Sequence, residues 1–314
     1  MLKVILAKSF ESAIEVADSG EKWVAIETEY GDKLLDTNHP NVIAACNHHG
    51  ILQLNEAPAI QCQKLEQNRY DNFIISHIDL DVLFGILWAA GWLKKTKTTL
   101  ALSQLVATAD IDGFHVIHEK LKDYDETIIQ KYFAIGYLAN SWIFNDDGLL
   151  IKDLSKEVHK LLLKIKDIII EGATKEQIIL YEQWFEEQRK VVKKHLQQII
   201  ELCDDITLLV YRAPFSLSTA YFIEDISGDV IVQFNEQSKT LTLACFNDDI
   251  AEKLFGKNGV IEPLQKFFGD KAGGKKAIGG SPRSQKLQPE ILQAFLEFLN
   301  REYFNVPEIN YLEN

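Results

Sequence analysis

Several things are missing from this sequence, and each absence narrows what the chain can be. No apolar run reaches the roughly 18 to 20 residues that a bilayer requires; the longest candidate, Val82 to Trp92, falls short, so neither a membrane span nor a membrane partner is expected. Met1 to Lys8 has too brief an apolar stretch for a signal peptide, and the cytoplasm is the expected compartment. Cysteine is scarce. Cys46, Cys62, Cys203 and Cys245 lie far apart without a C-x-x-C pair, which argues against a disulfide scaffold and a cysteine zinc site and leaves core thiols as their expected role. Positive charge is also short: 33 Lys and Arg against 46 Asp and Glu give a net charge of -13. Tight binding along a long duplex needs many cations to displace phosphate counterions, so that partner is excluded. Internal repeats and low-complexity tracts are lacking too.

What is present is ordinary globular composition, 46% hydrophobic with 25% charged residues, in 314 positions. That length suits two compact domains and excludes a disordered or collagenous chain. Apolar strands alternate with helices at first: Leu2 to Ala7, Trp23 to Thr28, Val42 to Cys46 and Asn72 to His77 read as strands, Phe10 to Ala17 and Val82 to Trp92 as helices. Strands that are apolar on both faces suit a mostly parallel sheet, so the fold class expected is α/β, with this domain at 1–153. Residues 154–205 change to helical spacing and read as two helices linking the domains, with Ile178, Val192, Leu196 and Ile199 on their apolar faces. A smaller α/β domain is expected at 206–314, with strands Ile206–Tyr211, Ala220–Phe222, Asp229–Asn235 and Thr240–Phe246 and helices Gly259–Phe268 and Pro289–Asn300.

Three polar clusters follow apolar stretches of the first domain. Ser76-His77-Ile78-Asp79-Leu80-Asp81 stands where a parallel strand ends, the position at which such sheets bind ligands. On an extended tip His77, Asp79 and Asp81 would face one way, an imidazole and two carboxylates suited to Mn2+ or Mg2+; the plainer reading is a strand end with a helix-capping aspartate. Asn47-His48-His49-Gly50 follows the strand Val42 to Cys46, and Asp110-Ile111-Asp112-Gly113 closes a third apolar stretch. Either cluster taken singly fits a turn; combined, they add ligands of the kind that complete a two-metal site.

The fourth cluster lies near the C-terminus. In Gly273-Gly274-Lys275-Lys276-Ala277-Ile278-Gly279-Gly280-Ser281-Pro282-Arg283 the glycines would let backbone amides approach an anion, with Lys275, Lys276 and Arg283 adding charge. A phosphate loop is favoured over a flexible surface loop. It is not a Walker loop, because Lys276 stands where that motif has Ser or Thr.

These clusters resemble the DHH phosphoesterase superfamily with its associated C-terminal domain, and the resemblance spans most of the chain. It implies an α/β domain with a two-metal site, usually manganese, a helical linker, and a smaller domain whose glycine-rich loop binds the phosphate or nucleotide end of the substrate. In that family the H-x-D-x-D-like motif comes first and the Asp-His-His triplet later. Here Asn47-His48-His49 precedes His77, so the resemblance implies a circular permutation, with Glu27 at the end of Trp23–Thr28 in place of one aspartate and Asn47 in place of another. Carried over, His77, Asp79, Asp81, Asp110, His48 and Glu27 would hold two divalent cations and His49 would contact the phosphate. Gly273, Gly274, Lys275, Gly279, Gly280, Ser281 and Arg283 would grip the far end. The expectation is a metal-dependent phosphohydrolase acting on a small nucleotide, short oligonucleotide or related phosphoester. The alternative is a catalytically silent nucleotide-binding or regulatory member; a homodimer is compatible with either.

Overall fold

The computed structural model describes residues 2–48, 52, 56–65, 70–111, 117, 120–142, 148–202, 206–214, 229–282 and 285–305. The chain divides into two compact units, Met1–Trp184 and Phe185–Asn314.

The first unit is built on strands whose residues are apolar on both faces. β1 (Lys3–Ala7) leads into α1 (Phe10–Ala17), which starts where the alternation stops and where Ser9 and Ser12 exchange reciprocal capping bonds. β2 (Trp23–Ile26), the small hairpin of β3 (Glu29–Tyr30) and β4 (Lys33–Leu34), and β5 (Val42–Cys46) follow. After α2 (Pro58–Gln61) comes β6 (Asn72–Ile75), then, among the described residues, the helices α3 (Leu80–Ala89), α4 (Lys97–Ile111) and α5 (Glu126–Ser141). β7 (Ile151–Asp153) and α6 (Ser155–Glu171) complete the set. The sheet order is β5-β2-β6-β1-β7, with β5, β2, β6 and β1 mutually parallel and β7 antiparallel on the edge. This is the α/β class with a mostly parallel sheet.

Helices cover both faces. Val4, Leu6, Val24, Ile26, Phe73 and Ile75 meet α3 and α4 in the larger core, while Ile5, Ala25 and Ile74 meet α1 in the smaller one. α3 is apolar all round, and from Val82 to Ala89 each residue but Trp88 is almost wholly buried. Full burial of one such Leu, Ile or Phe stabilises the fold by about 2 kcal/mol. α6 turns Val158, Leu161, Leu162, Ile165 and Ile169 into the same core. This three-and-four spacing had read as part of a linker; its apolar stripe is instead core of the first unit. α6 stops at Gly172, which has a φ of 107°.

In the second unit the expected helix to Asp204 is overturned in part. α7 (Lys175–His195) begins in the first unit, which runs to Trp184, and ends at His195 in the second, where β8 (Leu196–Glu201) is a strand paired antiparallel with β9 (Thr207–Ala213). Leu196, Ile199 and Ile200 fit either period, and the ladder to β9 decides for strand. β10 (Val230–Asn235) is parallel to β9, and β11 (Thr240–Cys245) returns antiparallel through a turn in which Asn235 Oδ1 accepts from the amides of Gln237 and Ser238. α8 (Asp248–Phe255) and α9 (Ile261–Phe268) precede an edge hairpin of β12 (Gly273–Gly274) and β13 (Ile278–Gly280), and α10 (Ile291–Leu299) closes the unit. The order is β12-β13-β11-β10-β9-β8, with α8 to α10 on one face and Val192 of α7 on the other. The expected strand Ala220–Phe222 lies outside the described residues. Among the described residues no helix is long and apolar enough to cross a membrane, and Cys46, Cys62 and Cys245 are buried free thiols.

The glycine-rich segment is thus a paired edge, not an open loop. Gly274 has a φ of 155°, and a Cβ there would lie 2.2 Å from the Ile278 carbonyl oxygen. Gly274→Ala is therefore expected to destabilise the protein by about 2 kcal/mol, seen as a lower denaturant midpoint in urea.

Candidate metal centre

The register of the parallel strands assembles the site. Ile26 pairs with Cys46 on one side and with Ile75 on the other, so β5, β2 and β6 end level. The next residues, Glu27, Asn47 and Ser76, therefore stand in one row at the carboxyl edge, where strand ends leave room for polar groups. Glu27 takes a φ of 53°, a left-handed conformation that an L side chain adopts only at a cost, while its amide still donates to the Cys46 carbonyl. The Ser76 hydroxyl donates to the Glu27 carbonyl oxygen and holds the turn.

Four ionisable side chains converge there. His48 Nε2 lies 2.8 Å from Glu27 Oε1 and 2.9 Å from Asp110 Oδ2. Glu27 and His48 are 2% exposed and Asp81 3%. Ligand atoms of Glu27, His48 and Asp81 all lie within 4.8 Å of one another, a group able to hold a metal ion. Asp81 Oδ1 accepts from the Ala59 amide at 3.0 Å, and its Oδ2 is buried without a hydrogen-bond partner among the described residues. A buried carboxylate oxygen with no donor, beside two further carboxylates and an imidazole, fits a cation better than it fits the protein alone.

The proton affinities record the same crowding. Burial raises Glu27 to about 7, against the pull of its His48 hydrogen bond. Burial, then the charges of Asp79 and Asp110, push Asp81 well above the usual carboxylate range. Burial works against charge on His48, yet its hydrogen bonds to Asp110 and Glu27 carry it up to about 10. A single imidazolium thus stands among three acids.

A second pair faces solvent. His77 Nε2 lies 3.2 Å from Asp79 Oδ2, with side chains 46% and 39% exposed, and its Nδ1 lies 2.8 Å from the Ser76 hydroxyl. Burial opposes charge on this ring, and the Asp79 hydrogen bond outweighs it. The expected extended tip is corrected: β6 ends at Ile75, Asp79 is the N-cap of α3 with Oδ1 accepting from the Val82 amide at 2.8 Å, and Asp81 sits in the first turn. The plainer reading and the functional one share that residue, since capping uses one oxygen and leaves the other to His77. Asp110 likewise comes from the last turn of α4.

The structure therefore brings Glu27, His48, Asp81 and Asp110 together, with His77 and Asp79 beside them along a cavity of about 610 Å³ that Asp79, Asp81 and Asp110 all line. His49, Asp112 and Arg283 lie outside the described residues. Gly273, Gly274, Lys275, Gly279, Gly280 and Ser281 belong to the second unit. Ser281 is buried there, its hydroxyl accepting from the Leu241 amide at 3.0 Å; a Cβ on Gly279 would lie 2.7 Å from Leu264 Cδ1, and Lys276 pairs with Glu252. Packing thus accounts for much of what had suggested an anion loop.

Asn47 stands where the resemblance has an aspartate. Its side chain instead holds the loop after β2: Oδ1 accepts from the Thr28 amide at 2.8 Å, and Nδ2 donates to the Leu35 carbonyl at 2.9 Å. Lys8, Tyr132, Phe133, Trp142, Tyr181 and Trp184 also line the cavity and were missed. The one-turn spacing of Tyr181 and Trp184 on a helix otherwise rich in charge was the available signal.

No protein-family profile matches the sequence, and no curated protein matches it. Among solved structures the chain is similar to a DHH-domain member of a family of ribosomal proteins, with 14% identity, 96% of this chain and 69% of that one covered, and a TM-score of 0.44. It is also similar to an uncharacterized protein from Helicobacter pylori, with 13% identity, coverage of 94% and 87%, and a TM-score of 0.22. Likeness of this degree carries no weight for the chemistry of the site.

Two outcomes are expected. Asn47→Asp sets an acceptor against the Leu35 carbonyl and buries a charge, so urea unfolding should show a loss of about 3 kcal/mol. Ligation requires His48 and Glu27 without their protons. Glu27 gains its proton as pH falls through about 7, so Mn2+ affinity should fall there. At pH 8 His48 is still protonated, and titration calorimetry in buffers of different ionisation enthalpy should show release of at least one proton per cation.

Proposed function

We propose that the first unit is a divalent-metal-dependent phosphoesterase acting on a small nucleotide, a short oligonucleotide or a related phosphoester. The observation that carries this reading is the meeting of Glu27, His48, Asp81 and Asp110 at the level ends of parallel strands and in the following helices, beside a cavity of ligand size. Glu27, His48, Asp81 and Asp110 would hold one cation, and His77 and Asp79 would contribute to holding a second. Mixed carboxylate and imidazole ligands suit Mn2+ best, with Mg2+ the second choice. Such a pair, when bound, lowers the pKa of a water and neutralises charge developing on the phosphoryl oxygens.

The chain's own residues do the positioning. The Asp79 cap on α3 and the Ala59 amide on Asp81 fix two carboxylates before substrate arrives, and preorganised ligands need no rearrangement during reaction. Lys8, which lines the same cavity, adds positive charge for a phosphoryl oxygen. We assign His49 to the phosphate; for the turn at Gly273 to Lys275 and for Arg283, which belong to the second unit, we propose anion binding as a separate role.

One observation favours a second reading, a nucleotide-binding protein without catalysis: the His48 imidazolium already offsets part of the acid charge that a metal would neutralise. Calorimetry separates the two, since nucleotide binding without any Mn2+ uptake supports the silent protein.

The enzyme reading expects Mn2+-dependent hydrolysis of bis(4-nitrophenyl) phosphate. Asp81→Asn keeps the shape and the Ala59 bond while removing the charge, and it should lower the rate roughly a hundredfold. Undiminished hydrolysis in that variant would reject the mechanism.

A further inference from the structure

The metal chemistry uses only some of the residues that line the cavity. Five others are aromatic: Tyr132, Phe133 and Trp142 come from α5 and its C-cap, Tyr181 and Trp184 from α7. Phe133 and Tyr181 are stacked, with ring centroids 4.4 Å apart and planes 13° from parallel, and the Trp184 ring lies 6.0 Å from Tyr181 at 41°. Between these rings the α5 surface is small. Gly136 and Ala139 follow Phe133 at one-turn intervals and line the cavity, and a Cβ on Gly136 would meet nothing within 4 Å. The stacked pair, Trp184 and the small residues Gly136 and Ala139 line one cavity, and the open space at Gly136 leaves room there for something flat. The volume of about 610 Å³ also exceeds what a phosphoryl group needs and falls in the range of pockets for whole small molecules.

We propose that these rings form a stacking subsite for the planar heterocycle of the substrate, a nucleobase, seated on them while its phosphate meets the carboxylate cluster. Every base has a π-face that such rings bind without hydrogen-bond readout, so the subsite selects for a ring and not for a particular base. An aliphatic chain would gain burial there but no stacking. The phosphate end of this arrangement rests on the phosphoesterase reading; the ring end does not.

The test is calorimetry on the full chain with adenosine, which has the ring and no phosphate, with ribose 5-phosphate, which has the reverse, and with AMP, each with and without Mn2+. Adenosine should bind without metal, and AMP with Mn2+ should bind about tenfold or more tightly than ribose 5-phosphate, the strength of one base stack. Gly136→Leu projects a side chain into the open slot on a helix that prefers leucine to glycine, so thermal unfolding should show the fold retained. Adenosine and AMP should each bind about tenfold more weakly to that variant while Mn2+ uptake stays unchanged. Equal affinity for ribose 5-phosphate and AMP, equal adenosine binding by wild type and Gly136→Leu, or preference for a fatty acid over adenosine would each overturn the subsite. Adenosine binding with no Mn2+ uptake supports the subsite and sinks the phosphoesterase; Mn2+-dependent hydrolysis without adenosine binding does the opposite.

Discussion

Three carboxylates and one imidazole meet at the end of the central strands, with Glu27, His48 and Asp81 almost wholly buried and Asp110 partly open to the cavity. Burying one unpaired carboxylate is costly, and burying three beside one another is tolerable only if a proton or a cation is held among them. The imidazole of His48 supplies one positive charge, within 3 Å of both Glu27 and Asp110. It does not satisfy Asp81 as well, whose second oxygen has no hydrogen-bond partner among the described residues. The left-handed backbone of Glu27 belongs to the same problem: the strand must turn sharply at that residue, and neighbouring bonds from Ser76 and to Cys46 keep it turned.

The surroundings are economical in their use of polar atoms. Asp79 caps a helix with one oxygen and meets His77 with the other; Asp81 takes a backbone amide with one oxygen and turns the other to the cluster. Asn47 needs both a donor and an acceptor to hold the loop after β2, a demand that a carboxylate cannot meet. A departure that looks like a lost ligand in the sequence is thus a structural requirement of the neighbouring loop.

How much of this was legible depended on how local the information was. Val42–Cys46 is a strand in sequence and structure alike because its apolar run has no helical alternative of that length and ends in polar residues. Phe10–Ala17 carries its cap, Ser9, beside it. Candidate ligands could be found because carboxylates and histidines after apolar strands stand out by chemistry, and Glu27 came from the resemblance, not from its own context. The geometry could not be read. Whether Asp79 lies on an extended tip or starts a helix depends on where β6 pairs with β1 and β2, and Asp110 reaches the cluster from a helix whose direction is set by packing against α3. The glycine pairs read two ways because glycine is demanded both by anion loops and by close strand crossings; the Ile278 carbonyl and the Leu264 side chain show the second demand here. Leu196–Glu201 satisfies two periods at once, and its partner strand lies later in the chain.

The strand order carries a consequence for the nascent chain. β1 and β2 are made first but are not neighbours, because β6 lies between them, and β1 takes its other partner from β7. β2 can pair with β5 as soon as Val42–Cys46 emerges, but β1 must wait, apolar on both faces, for Asn72–Ile75, and its outer edge waits further for Ile151–Asp153. Pairing at such separations makes for slow folding and a long exposure to self-association. Cells that express this chain would then need to shield those early strands, and the last of the clustered acids, Asp110, joins only after the central strand has been made.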